Sequence, residues 1–269
     1  MRILLSRFIG KVANLRLRYF SIPLIRIFRL AFKIKDRIDV KNHQSLNDFF
    51  SRKKTEYISL SKSRGSFCSP AEGVISQYGS IKDSTLVQAK GRFFDLNQLF
   101  GGDRDLSDRF ISGRFFTVYL APNNYHRVHL PRDGKLTKIR YIKGNLYSVS
   151  KRNSERVEGL YCRNERVVLY FETDKTHVFA LILVGALLVG SIALTYNNIT
   201  NNVHNSYPRN ETVSIDPIQL NQFDEVGLFN FGSTVICVAS EHFLNFEENL
   251  RNDLEIKVGQ VVGHSLTNY

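Results

Sequence analysis

The chain has 269 residues, 43% of them hydrophobic, and carries a net charge of +12. That length allows one large domain or one domain with an appendage, and the apolar share is enough for a sizeable core. Three widely spaced cysteines, Cys68, Cys162 and Cys237, imply neither a disulfide framework nor a zinc pattern, which points to a reducing compartment.

The charge is unevenly placed. Residues 1–37 hold ten Lys and Arg against one acid, Asp36, so this arm carries +9 of the +12. Leu4, Leu5, Phe8, Ile9, Val12 and Leu15 share one face of a helix predicted over 3–15, with Arg7, Lys11 and Arg18 opposite. Pro23 reads as a first-turn residue of a second helix. There Arg26, Arg29, Lys33 and Arg37 form a basic stripe beside Leu24, Ile27, Phe28, Leu30, Ala31 and Ile34. Neither stretch has the ~20 uninterrupted apolar residues of a spanning helix, and the cleavage site of a signal peptide is missing. Two readings fit the arm: helices lying in the plane of an anionic membrane, or helices packed on their own domain with a solvated basic face. Nucleic acid is disfavoured, because no helix-turn-helix, RNP or zinc-finger pattern follows and the aromatic residues keep to the apolar face.

Ser45-Leu46-Asn47-Asp48 predicts a capped short helix with Phe49 and Phe50 as core anchors, and 51–66 reads as a loop. From Phe67 the texture changes to short strands punctuated by glycine, over 69–76, 85–89 and 115–120, then 135–150 and 160–172. Glu72 is a carboxylate on the tight turn Pro70-Ala71-Glu72-Gly73, a place where acids are ordinarily solvated. His126 and His129 stand between Pro122 and Pro131. On a straight strand they point to opposite faces, whereas a bend lets both converge. Histidine is the usual neutral-pH base for a serine hydroxyl; a structural pair fits the same pattern, and no further ligands at metal spacing accompany it. The apolar run 178–190 is too short to cross a bilayer and predicts buried strands with close backbone approach at its two glycines. Residues 196–222, rich in Asn, read as an irregular excursion.

From Asp224 to Val238, alternation predicts two strands meeting at Gly232-Ser233-Thr234. Gly232, without a side chain, admits a close neighbour. Given a base, the Ser233 hydroxyl attacks the preceding carbonyl in an N-to-O acyl shift by which the chain cuts itself. A Gly-Ser-Thr bulge in a buried sheet is the other reading of these three residues.

Together these stretches resemble the phosphatidylserine decarboxylase family, more narrowly its proteobacterial, membrane-associated type. The matching segments are Ser-Pro-Ala-Glu-Gly-Val-Ile-Ser at 69–76, Gln-Ala-Lys-Gly at 88–91, Tyr-His-Arg-Val-His-Leu-Pro at 125–131, Leu-Val-Gly-Ala-Leu-Leu-Val-Gly-Ser-Ile at 183–192 and Phe-Gly-Ser-Thr-Val-Ile at 231–236. They run in the family's order across roughly 45–262. An α+β protein is expected, with amphipathic membrane-associating helices in 1–44 and a β-rich catalytic domain of packed, mainly antiparallel sheets in 45–269. The resemblance implies a proenzyme that cuts between Gly232 and Ser233, its fragments 1–232 and 233–269 staying associated, with Ser233 becoming a covalent pyruvoyl cofactor. By position, His129 and Glu72 fall on the family's relay for the Ser233 proton, much as in a serine protease triad. The pyruvoyl then forms a Schiff base with phosphatidylserine and releases carbon dioxide, leaving phosphatidylethanolamine. His126 is the candidate proton donor or substrate-positioning group. The expected partners are phosphatidylserine, an anionic membrane surface and, as an option, a second copy of the chain, with no nucleic acid and no metal. The expected place is the cytoplasmic face of the inner membrane, peripherally bound. Two rivals use the same residues: a membrane-bound serine hydrolase that stays uncut, and a catalytically inactive lipid-binding relative. The chain departs from the family pattern at Glu72, where Asp is usual, at Asn124, where an Asp commonly precedes Tyr-His, and at Phe231, which replaces Leu.

Overall fold

The computed structural model of this chain describes residues 13, 15–34, 39–54, 65–186, 192–196, 199–230 and 232–265. The helix expected over 3–15, apart from Ala13 and Leu15, lies outside them, as do Arg37, residues 187–190 of the long apolar run and Phe231. In chain order the strands are β1 (Ser66–Cys68), β2 (Gly73–Ser80), β3 (Thr85–Ala89), β4 (Arg92–Asp95), β5 (Arg114–Leu120), β6 (Arg127–His129), β7 (Gly134–Ile142), β8 (Arg166–Glu172), β9 (Val178–Val184), β10 (Ile192–Tyr196), β11 (Ile199–Asn202), β12 (Glu211–Leu220), β13 (Glu225–Phe229), β14 (Ser233–Ala239), β15 (Asn245–Phe246), β16 (Glu255–Ile256) and β17 (Val261–His264). Two helices bear on the site, α1 (Arg18–Ala31) and α2 (Leu46–Phe50).

Runs without polar alternation need cover on both faces. β9 and β14 are such runs, buried along their whole length, and they lie side by side in the middle of an eight-stranded antiparallel sheet. Its order is β12-β7-β8-β9-β14-β5-β2-β16. The period of two along each strand splits the core into two clusters. Phe115, Tyr119, Ile236, Val238 and Ile182 face α1, α2 and the segment around Phe100 and Phe110. Phe116, Val118, Leu120, Val235 and Leu183 face the other way, against Ile192, Leu194, Val226 and Phe229 of a four-stranded sheet ordered β11-β10-β13-β6. This is the expected α+β architecture, a helical N-terminal part followed by a β-rich domain of mainly antiparallel sheets.

Several local expectations change. Pro23 is the sixth residue of α1 and not in its first turn, because the chain is already coiled at Leu17, whose carbonyl accepts from the N–H groups of Phe20 and Ser21 at 2.8 Å each. Ser21 Oγ extends this anchorage, donating to Leu17 O at 3.0 Å and Gln44 O at 2.9 Å. Pro23 has no N–H to offer the carbonyl of Tyr19 one turn back, where the Tyr19 side chain is itself 95% exposed. The strand expected over 135–150 ends at Ile142, and 160–163 is a helical turn preceding β8. Residues 196–222 are not irregular: they contain β11, a short helix and the ten-residue β12. β12 is the sheet's edge, mostly exposed, and tolerates Pro217 at a bulge between Ser214 and Ile218.

Candidate active site

Ser233 opens β14 opposite Leu120, the last residue of β5. Both Ser233 and its neighbour Thr234 are completely buried, and neither hydroxyl has a hydrogen-bond partner among the described residues. A buried hydroxyl left unpaired costs about 1–3 kcal/mol, so two at the head of one strand mark a place built for something other than stability. The close approach expected at Gly232 does not occur among the described residues. Among the described residues a Cβ at that position would meet only the Leu120 carbonyl oxygen, at an ordinary 3.9 Å. A tight glycine at this end of the sheet is Gly73, where a Cβ would sit 2.1 Å from the Tyr119 carbonyl oxygen. That contact lets β2 close onto β5 and brings Glu72 to the same end of the strand as Ser233.

Beyond Leu120 the chain turns through Ala121 to Asn124, whose N–H donates to Ala121 O at 2.9 Å. His126 leans back into this turn, and its Nε2 bonds the same carbonyl at 3.1 Å. A carbonyl only accepts, so Nε2 carries the proton and Nδ1 presents a lone pair. That Nδ1 is buried with no partner. Burial, with the Arg52 cation as a further cause, pushes the imidazole down to about 3 from its ordinary 6.5. Phe50 of α2 stacks on the ring at 4.0 Å between centroids. The Phe229 N–H donates to His126 O at 3.0 Å. Phe229 precedes and Ser233 follows the short connection 230–232, so both ends of that connection are tied to the surroundings of His126.

His129 closes β6 opposite Glu225. Its ring is neutral in pattern too, but satisfied: Nδ1–H donates to Phe223 O at 2.7 Å, and the Tyr125 hydroxyl donates to Nε2 at 3.0 Å. Burial holds this imidazole below its ordinary value, against the pull of the Phe223 carbonyl. Glu72 is ion-paired with Lys54, 2.9 Å from Oε2 and 3.2 Å from Oε1, and accepts from Asn124 Nδ2 at 3.4 Å. The Glu72–His129 hydrogen bond expected of a relay is therefore not among the bonds of His129. The turn bends as the histidine spacing required, but it gives the two rings different neighbours. Glu72 lines a cleft of about 800 Å³ with Lys54, Asn123, Asn124, Glu255 and Lys257, so it is not the freely solvated turn residue that its local sequence suggests.

Sequence reasoning missed Tyr125, Lys54 and the Phe223 carbonyl. Tyr125 lies inside the quoted Tyr-His-Arg-Val-His segment and carried a signal; Lys54 is indistinguishable from the basic loop around it, and a backbone carbonyl leaves no mark in a sequence.

A buried serine at a strand head, a bare imidazole lone pair and a carboxylate at one sheet end are the residue types used by enzymes that work through a nucleophilic side chain. A family model described as "Phosphatidylserine decarboxylase" matches residues 46–264. The chain is 38% identical over 268 residues to the phosphatidylserine decarboxylase proenzyme of Francisella tularensis subsp. mediasiatica, covering 96% of this chain and 92% of that one. It is 36% identical over 269 residues to the proenzyme of the same description from Pseudoalteromonas atlantica, with the same coverage. The chain belongs to the phosphatidylserine decarboxylase family.

Proposed function

We propose that this chain is a proenzyme that cuts itself between Gly232 and Ser233 and then converts phosphatidylserine to phosphatidylethanolamine and carbon dioxide. The observation that carries this reading is the buried, unpartnered Ser233 hydroxyl at the head of β14, with both ends of the preceding connection tied to the surroundings of His126. Ser233 Oγ attacks the Gly232 carbonyl carbon as an imidazole takes its proton; the C–N bond breaks with protonation of that nitrogen, leaving an ester. Removal of the Ser233 α-proton then breaks the Oγ–Cβ bond and frees Gly232 as a carboxylate. Water replaces the nitrogen, lost as ammonia, and a pyruvoyl group remains at position 233. A fully enclosed serine whose hydroxyl is committed to no other bond fits that conversion. When present, the group supplies an electron sink for the carboxylate of an amine-bearing headgroup.

The base is assigned to His129 with Glu72 as its supporting carboxylate, and His126 to proton donation or substrate positioning during decarboxylation. For His129 to act, the Tyr125 hydroxyl must leave Nε2. A second reading is favoured by one observation: His126 is the ring whose lone pair is already bare, which would make it the base for cutting. Single substitutions separate them, as argued below.

The membrane reading of the N-terminal arm is supported by α1. Its buried side is narrow, chiefly Ser21 and Ile25, while Tyr19, Leu30, Phe20 and Ile27 are 95%, 80%, 73% and 63% exposed beside the exposed Arg26. Among the described residues no helix is long and apolar enough to cross a membrane. On this reading α1 lies in the interface of an anionic bilayer without crossing it, with the cytoplasmic face of the inner membrane as the proposed place. Family membership favours the decarboxylase over the uncut hydrolase and the inactive relative. Intact-mass measurement decides: the reading requires a fragment of residues 1–232 and one of 37 residues (269 − 233 + 1) with a blocked N-terminus. A full-length, unmodified chain would overturn it.

A further inference from the structure

Two of the three departures from the family pattern, Glu72 and Asn124, touch each other. The orientation of the Asn124 amide is fixed by its surroundings: Oδ1 accepts the Ala121 N–H at 2.8 Å, which only the oxygen can do. The NH2 group is thereby turned to Glu72, with Nδ2 3.4 Å from Oε1. Ala121 is the residue whose carbonyl holds His126 Nε2. One amide therefore joins the carboxylate on the β2 side of β5 to the turn that aims the histidine.

From this geometry we infer that Asn124 is a positioning residue that allows a glutamate to stand at position 72. It supplies a donor where an aspartate would set a second carboxylate against the first. An aspartate at 124 is isosteric and keeps the Ala121 N–H bond, so the turn itself does not distinguish the two residues. The contact with Glu72 does. Among the described residues, the charged and titratable groups around Glu72 include Lys54, from the segment after α2, Glu255 and Lys257 across the cleft, and Tyr125, whose own hydroxyl is raised first by burial and further by Glu225 and Glu72. Lys54 is paired with the carboxylate, and after Asn124→Asp it would face two acids. An aspartate at 72 draws back by one C–C bond, roughly 1.5 Å. In this chain the longer acid is thus matched by a neutral amide that donates to it.

This inference rests on the reading that Glu72 serves self-cleavage, so the experiment has two arms. In the uncut Ser233→Ala chain, a titration of 13C-labelled glutamate carboxyls reads the contact directly. Adding Asn124→Asp should move the Glu72 midpoint up by about one pH unit, as for neighbouring like charges; an unmoved midpoint would overturn the inference. In the cutting chain, Asn124→Asp should shift the acid limb of the self-cleavage rate upward by a similar amount. The rate should fall about tenfold near that limb and little at high pH, while the melting temperature stays near native. Glu72→Asp/Asn124→Asp should cut faster than Asn124→Asp alone, a coupling that independent sites do not show. A double variant no faster than the single would also overturn the inference. If the native chain never yields two bands, the self-cleavage reading fails, while the titration still reports on the pair.

Discussion

The two histidines are three residues apart and are held in opposite ways. His129 spends neither nitrogen on solvent and neither on an acid; Tyr125 and the Phe223 carbonyl hold it. His126 keeps a bare Nδ1 in a dry place. With His129 as the base for cutting, His129→Ala and Glu72→Gln should slow the appearance of two bands by about 10²–10⁴-fold, the range of a lost general base. His126→Ala should then still cut and lose decarboxylation. The reverse pattern would move the base to His126. Tyr125→Phe sharpens the test, because it frees His129 Nε2 and should accelerate cutting only if that nitrogen is the base. The buried state of His126 has a second consequence. Its folded pKa lies at about 3 and its ordinary value at 6.5, so between these the unfolded chain binds a proton that the folded chain refuses. Stability should therefore fall as pH drops through this window, by about 1.4 kcal/mol per pH unit. Denaturant melts of the Ser233→Ala chain from pH 7 to pH 4 should show the loss, and His126→Asn should reduce it to the part that His129 contributes.

At the scale of elements, α1 shows what an apolar residue does when its own protein does not cover it. Changing Arg26, Arg29 and Lys33 to Gln should weaken sedimentation with anionic vesicles, since each cation near such a surface contributes about 1 kcal/mol. Changing Phe20, Ile27 and Leu30 to Ser should weaken binding to neutral vesicles as well. Binding indifferent to both sets would remove α1 from the membrane. The same elements explain what is legible in the sequence. β9 and β14 are apolar at every position or nearly so, and a run of that kind has few places to go but the middle of a sheet. β12 reads as irregular because an edge strand faces water and shares the composition of a loop; only its pairing with β7 makes it a strand. The start of α1 is misplaced by sequence because Pro23 is a strong start signal, and the bonds that coil the preceding turn come from Leu17 and from Gln44, far along the chain. In the site, residue types announce Ser233, His126, His129 and Glu72. Their pairings are not legible, because they depend on a backbone carbonyl, on a lysine in a basic loop and on the direction in which a turn aims two rings.

At the scale of the molecule, the proposed cut removes one covalent bond from a sheet that does not depend on it. β14 is registered with β5 from Ser233 to Ala239 and with β9 from Thr234 to Ala239. Downstream, β16 pairs with β2, and β17 with β1. The small piece that begins at Ser233 should therefore co-purify with the large one through gel filtration at neutral pH, and part from it only in denaturant. Separation under native conditions would mean that the cut chain does not keep this sheet.

The interior position of β14 also decides how such an enzyme dies. The uncut precursor is one chain, and its refolding from denaturant is a first-order process indifferent to concentration. The cut form is two chains, so once it opens, recovery becomes a bimolecular encounter in competition with aggregation of an apolar strand that has lost both neighbours. Its working lifetime is then set by the rate of opening instead of by an equilibrium. Dilution out of denaturant under matched conditions should return a good yield of folded Ser233→Ala chain, while the cut protein, once unfolded, should recover little.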